Sequence, residues 1–458
     1  MPHSTSTISI PSLRTSITGR VIAPGDTAYD ETRMPFMGGL DRHPAVIIFP
    51  SDTSDVARAI ALARETGLPL AIRSGGHSSA GHCTVDDGIV LDLRDLKSLE
   101  VNATDRTAWA QTGLTAVEYS SGVGAHGLAT GFGDTGSVGI GGITLAGGIG
   151  YLTRQYGMTI DSVLGAELVT ANGDLLDVNA TSHPDLFWAI RGGGGNFGVV
   201  MRFRYQLHPV DQIVGGVLIL PATTDIIVRV MQAAEEAPEQ LSAIVNVMSA
   251  PPMPFIPAAQ HGKLVVMMLL CYAGDVDAGA RAIAPFRSIA APIADMVRPM
   301  RYPEIFPPDD PSFHPTAVGR TSFIDGVDPA TAELMMHHLQ ASDAIMRVAQ
   351  LRVLGGAMAR VPSQATAFAH RNSRILVNVA AFYNGREDRL AREAWTKTFA
   401  AALHQGDNGA YSAFLADEGE ARLHAAYPGS TWERLAAIKR RYDPTNLFRL
   451  NQNVPPAR

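Results

Sequence analysis

The sequence predicts an α+β fold: a glycine-looped first half, then a second half built on an antiparallel sheet covered by helices on one face. Three observations carry this. Up to about residue 210, short apolar runs bounded by turn residues recur, beginning in the order strand, helix, strand, turn, strand. Glycine is clustered rather than dispersed: of 44 in the chain, nine fall within residues 131–150. From about residue 212 the clusters thin, prolines rise, and strand-like runs alternate with long helical ones. The expected divisions are a flexible arm at 1–20, a first domain at 21–211, a second at 212–410 and a C-terminal segment at 411–458.

In the first domain, Arg20–Ala23 reads as a short strand. Asp26–Arg33 reads as a helix start capped by Asp26 or Thr27. Ala45–Phe49 is a buried strand ended by Pro50. Ser51–Asp55 caps a helix through Thr66 with Val56, Ile60, Ala61 and Ala63 on or near one face. Leu68–Ile72 and Ile89–Leu93 are buried strands, and between them lies Arg73-Ser74-Gly75-Gly76-His77-Ser78-Ser79-Ala80-Gly81-His82-Cys83. A glycine pair there lets backbone bend sharply and approach a ligand, with successive N–H groups free to face a phosphate. Trp109–Gln111 is a strand and Leu114–Gly127 a helix. Gly122–Gly127 matches G-x-G-x-x-G, but a helical run precedes it and no acid stands at position 147, so a nicotinamide site is rejected.

The run Gly131–Gly150 interleaves glycine with Val138, Ile140, Ile143, Leu145 and Ile149. A flexible linker would hold polar residues there, so this backbone is expected to pack against something flat and bulky. Val163–Thr170 and Leu175–Val178 form a hairpin about Asn172-Gly173. A short helix, Asp185–Arg191, runs into Gly192-Gly193-Gly194-Gly195, followed by a strand at Val199–Tyr205.

These three glycine segments, in this order, resemble the vanillyl-alcohol-oxidase (PCMH-type) flavoproteins in their berberine-bridge-enzyme-like branch. Trp432–Asn453, a helix ended by Asp443-Pro444 and a polar turn, resembles that branch's C-terminal segment, which returns to the flavin domain. The resemblance implies a two-part FAD-binding domain and covalent attachment of FAD through its 8α-methyl to His77. It implies cofactor contacts from Arg73, Ser74, Gly75, Gly76, Ser78, Gly81, His82, Thr135, Val138, Gly139, Gly141, Gly142, Gly148, Val200, Asn451 and Asn453. Bicovalent members carry a cysteine where this chain has Thr135, so a single attachment is expected. Asn451 and Asn453 share a face if the tail is extended.

In the second domain, strands are expected at 214–220, 241–248, 263–272, 349–354 and 374–383, and helices at 224–236, 276–288, 329–346 and 387–405. Pro303–Pro315 reads as a loop over the site entrance. Gln350 and Arg352 share one strand face, and Asn378, Ala380 and Phe382 share another, which makes Asn378 and Phe382 substrate contacts. Removing hydride from an alcohol or amine carbon leaves a proton to be taken. Gln350 aligns where some relatives hold a glutamate base and cannot serve. Tyr411 matches the family's tyrosine and is the expected base, its pKa lowered by Arg352, although Ala413 replaces the family's asparagine.

The chain of 458 residues is 46% hydrophobic and 18% charged, with net charge −7 and no basic run, which argues against nucleic acid or an anionic membrane surface as partner. Cys83 and Cys271 make no disulfide framework. No zinc-ligand spacing or G-x-S-x-G elbow is present. No secretory signal or bilayer-length apolar stretch is read, so a cytoplasmic monomer or homodimer is expected. The expected activity is an FAD-dependent oxidase using a small-molecule substrate and O2 and giving H2O2. Two alternatives keep the fold: a flavin-N5-oxide-type oxygenase of secondary metabolism, and a flavin-binding relative without catalysis.

Overall fold

The computed structural model describes residues 8–308, 310 and 312–458. The first half holds two main sheets. In one, Arg20–Ile22, Val46–Phe49, Ile89–Asp92 and Leu70–Arg73 lie side by side, the last three parallel. Val46–Phe49 and Ile89–Asp92 are buried along their whole lengths, as parallel strands enclosed on both faces must be. The helix Thr53–Thr66 packs there with Val56, Ala59, Ile60 and Ala63 inward. The Asp52 side chain accepts from Asp55 N–H at its start, and Gly67 closes it at φ 71°. The second sheet is antiparallel, in the order Leu99–Asn102, Thr107–Gln111, Val199–Gln206, Val163–Val169, Leu175–Asn179.

The second half is the expected antiparallel sheet with helices on one face. Its eight strands centre on Gln212–Pro221, Leu264–Ala273, Leu241–Ser249, Arg347–Val353, Ile375–Phe382 and Ala317–Ile324, in that spatial order. Strand alternation divides the side chains. Ala243, Val245, Val247, Leu351, Val377 and Val379 meet Ile227, Met231, Phe286, Met335 and Phe399 of the covering helices. Asn246, Gln350, Asn378 and Thr321 stand in direct register on the other face.

Several elements differ from expectation. The N-terminal arm is not loose over its described part: Ile10–Ser16 is helical, and Leu13 and Ile17 are buried against Val46 and Ile48; its residues 1–7 lie outside the described residues. The helix expected from Asp26 begins at Tyr29, because the Asp26 carboxylate already accepts from Ala23 N–H and pairs with Arg14. The strand Ala317–Ile324 went unrecognised because Gly319, Arg320, Thr321 and Ser322 interrupt its apolar pattern; it is an edge strand, paired among the described residues only with Ile375–Phe382. The helix from Pro329 stops at Ala341, five residues early, and Arg347 donates to the Leu339 and Ala344 carbonyls near its end. The expected loop at 303–315 opens with a 3₁₀ turn at Tyr302–Ile305, and its positions 309 and 311 lie outside the described residues.

Arginines join the halves. Buried Arg154 donates to the carbonyls of Ala234 and Ala237 at the open end of the helix Thr224–Glu236 and to Leu241 O at the start of the next strand, at 2.8–3.0 Å. Arg371 grips Asp161 with both terminal nitrogens at 2.7 and 2.8 Å. The C-terminal segment is tied back by Lys439, fully buried in the helix Ser430–Tyr442. Its ammonium donates to Asn196 O, Phe448 O and Asp443 Oδ2 at 2.6–2.9 Å. Asp443 in turn accepts from the N–H groups of Leu447 and Phe448. Lys439→Met strands that carboxylate in the interior and is expected to cost about 3–5 kcal/mol in urea unfolding; a loss below about 1 kcal/mol would mean that water reaches Asp443.

Candidate active site

A cavity of about 450 Å³ lies where the three glycine segments, the polar face of the second-half sheet and the C-terminal turn converge. Its geometry starts from a contact between backbones. A Cβ on Gly75 would stand 2.2 Å from Gly139 N, and one on Gly139 would stand 2.2 Å from Gly75 N. The first two segments touch because neither residue has a side chain. Ser74 Oγ donates to Thr112 O at 2.6 Å, and Thr112 Oγ1 donates to Val200 O at 2.7 Å. This ladder carries the first loop onto the second sheet.

Ser74, Gly75, Gly76, His77, Ser78 and His82 line the cavity. Arg73 does not. Its guanidinium is fully buried and spent on the carbonyls of Cys83, Thr32 and Arg33 at 2.7–3.0 Å and on Asp92 at 3.4 Å. Gly81 is also turned away, its carbonyl accepting from Arg42. The His77 ring stacks on Phe36 with centroids 3.8 Å apart, and its Nε2 is buried without a partner. Burial drives the His77 pKa down to about 4, opposed by the Ser137 backbone; burial, helped by Arg42, takes His82 to about 4 as well.

From the second segment Thr135, Val138, Gly139, Gly141 and Gly142 line the cavity, and from the third loop and its strand Gly194, Gly195, Gly198 and Val200. Gly148 lies behind the wall: its N–H donates to Tyr411 Oη at 2.9 Å, and a Cβ on it would meet Thr159 Oγ1 at 1.9 Å. The tail bends at Asn451 and Gln452 instead of running extended, so those two line the cavity and Asn453 does not. Asn451 donates to Gly195 O and Phe448 O, leaving its Oδ1 buried and unpartnered.

On the sheet side Asn378, Ala380 and the backbone of Ala317–Gly319 face the cavity, with Tyr411 and Phe414 beside them. Phe382 does not reach it; at the far end of its strand it pairs with Ala317. Gln350 and Arg352 stand one row back. Gln350 donates to Asn246 Oδ1 at 2.8 Å, while Arg352 donates to Gln350 Oε1 and, at 2.7 Å, to Asp134 Oδ2. Among the described residues Asp134 is the one Asp or Glu lining the cavity, and no Lys or Arg lines it. The sequence reading missed Asp134, although it is the sole charged residue in the run 131–150, and that isolation was the available signal. Tyr411 is buried, and burial pushes its pKa up to about 12 even though the Gly148 N–H and the Arg352 charge act the other way. The expected lowering by Arg352 is therefore outweighed.

These residues fit FAD. Positions 142 and 195 would hold a Cβ with nothing within 4 Å, leaving a flat backbone wall. The unpartnered Asn451 Oδ1 and His77 Nε2 supply buried acceptors on a ligand's edge. Gly139→Ala is expected to destabilise by about 1–3 kcal/mol in urea by prising the loops apart. Gly142→Ala, helical and unopposed, should be neutral or stabilising by up to about 1 kcal/mol; equal costs at both positions would refute the loop contact. Between about pH 6.5 and 4 the unfolded chain holds protons on these imidazoles that the folded chain refuses. Stability therefore falls as pH drops through that window. The urea midpoint should fall less between pH 7.5 and 5 in His82→Gln than in the parent.

Residues 44–179 match a family model described as an FAD binding domain, and residues 411–455 match one described as berberine and berberine like. An (R)-6-hydroxynicotine oxidase of Paenarthrobacter nicotinovorans is 29% identical, with 96% of this chain and 97% of that protein aligned. Berberine bridge enzyme-like 4 of Arabidopsis thaliana is 27% identical over 90% of this chain and 85% of its own. The crystal structure of 6-hydroxy-D-nicotine oxidase from Arthrobacter nicotinovorans superposes with a TM-score of 0.85 at 26% identity, covering 96% of this chain and 99% of that one. The chain thus pairs an FAD binding domain with a berberine-like C-terminal segment and is similar along nearly its whole length to FAD-linked oxidoreductases.

Proposed function

We propose that this protein is an oxidase that removes hydride from a C–H next to oxygen or nitrogen in a small alcohol or amine. The observation that carries the reading is the cavity itself: glycine backbone and the free His77 imidazole on one side, and a polar sheet face with Asn378 and Tyr411 on the other. FAD, when bound, supplies the hydride acceptor at N5 and passes the electrons to O2, giving H2O2.

Every other role falls to the chain. The glycine loops hold the cofactor against backbone, and His77, neutral above about pH 4, attaches it as a nucleophile. Asn378, half-buried at the cavity wall, orients the substrate. Tyr411 accepts from Gly148 N–H, and its hydroxyl, which keeps its proton up to about pH 12, donates a hydrogen bond to the substrate's oxygen or nitrogen. Asp134, fixed by Arg352, takes the proton that leaves that heteroatom.

Purified protein is tested by following peroxide across a panel of primary and secondary alcohols and amines. Peroxide formed in step with O2 consumption is the expected result. Anaerobic bleaching of the flavin without peroxide in air would make the enzyme a dehydrogenase, and labelled oxygen in the product would make it an oxygenase. With an active substrate, Tyr411→Phe should lower kcat about 10²-fold. The parent's rate should not climb between pH 8 and 11, where an ordinary tyrosine ionises; a climb there would make Tyr411 the base instead.

A further inference from the structure

Phe36 lies outside every glycine segment, yet it is the residue that lies flat on His77. The two rings are 12° from parallel with centroids 3.8 Å apart. His77 Nε2 has no hydrogen-bond partner, so the ring plane is held by the stacked Phe36 together with the Ser137 backbone on the other side of the imidazole. Phe36 is itself held from several directions. Its N–H donates to Gly76 O at 3.2 Å, next to His77 in the chain. Gly76 sits at φ 77°, and a Cβ on it would come within 3.3 Å of Phe36 N. Arg73 Nη1 and Nη2 donate to Thr32 O and Arg33 O, pinning the chain just before Phe36. The Arg73–His77 loop thus carries both the histidine and the arginine that fastens the segment lying over it. From the second half, Phe313 meets Phe36 edge-on at 6.2 Å, and His314 Nδ1 lies 3.1–3.2 Å from the carbonyls of Pro35 and Phe36.

We propose that Phe36 is the positioning residue that fixes the plane of the His77 ring for bond formation to the flavin, with Arg73 as the clamp that holds Phe36 in place. The inference rests on the reading of His77 as the attachment point. In the attachment, an imidazole nitrogen of His77 forms a C–N bond to the 8α-methyl carbon, and one C–H bond of that methyl breaks. The methyl proton and the imidazole N–H proton leave. The two electrons enter the isoalloxazine and are returned with two protons to O2, which departs as H2O2. A nucleophile's ring plane decides whether its in-plane lone pair meets the methyl carbon, and misplacement by about 1 Å costs on the order of 10²-fold in such a step.

The test compares wild type, His77→Ala, Phe36→Tyr, Phe36→Leu and Phe36→Ala, each purified as holoprotein at the same time after induction. Two quantities are read: total flavin per protein, and the fraction of that flavin that stays with the acid-precipitated pellet. Wild type and Phe36→Tyr should hold flavin in the pellet. Phe36→Leu, which fills the space without a ring plane, should bind flavin but release most of it to the supernatant, as His77→Ala releases all of it. Phe36→Ala should behave like Phe36→Leu; loss of total flavin in Phe36→Ala alone would reflect the vacated volume, and Phe36→Leu then decides. A pellet fraction in Phe36→Leu equal to wild type would overturn the role of Phe36 while leaving His77 as the attachment point. Wild-type flavin found wholly in the supernatant would overturn the His77 attachment and the inference with it.

Discussion

The approach of Gly75 to Gly139 is the constraint on which the rest of the structure rests. Two loops from distant parts of the chain press backbone on backbone at a distance that no Cβ permits. Ser74 can then donate to Thr112, Thr112 to Val200, and the small mixed sheet is bound to the larger antiparallel one. The cavity wall is left as bare peptide, which suits a broad planar ring better than side chains with rotamers of their own. His77 follows Gly75 and Gly76 directly, so the same contact decides where the imidazole emerges.

The opposite wall is organised by strand alternation. Residues of one parity pack against helices, while the other parity supplies Asn246, Gln350, Asn378 and Thr321 in one cross-strand row. Arg352 extends that row to Asp134 on the glycine segment. The pair is largely buried, with side chains 5% and 17% exposed. Such pairs add little net stability because desolvation offsets attraction, but they are costly to misalign. Here the pair links the two walls and keeps the sheet in register with the loop facing it.

Much of this was legible in the sequence, for a physical reason. Glycine segments encode backbone requirements that are local, so the three loops and the alternating sheet could be read directly from residues, and His77 through the resemblance those loops carry. What could not be read depends on direction and burial. Arg73 looks like a phosphate ligand in one dimension, yet its guanidinium folds back on the carbonyls of Thr32, Arg33 and Cys83. Arg352 stands near Tyr411, but burial outweighs its charge. Asn453 was paired with Asn451 on the assumption of an extended tail, and a bend separates them. Phe382 shares a strand face with Asn378 but lies beyond the rim. The strand Ala317–Ile324 hid because an edge needs no apolar pattern on both faces.

The tie between Lys439 and the third glycine loop also sets an order in time. Phe448, Leu450, Asn451 and Gln452 form part of the cavity wall, and they leave the ribosome long after His77 and all three glycine loops. The nascent chain can assemble both sheets of its first half and still present an open trough. A chain stalled or cleaved before Lys439 would lack the part of the wall that Phe448, Leu450, Asn451 and Gln452 supply. Completion of the cavity wall is thereby a late event in the synthesis of the chain.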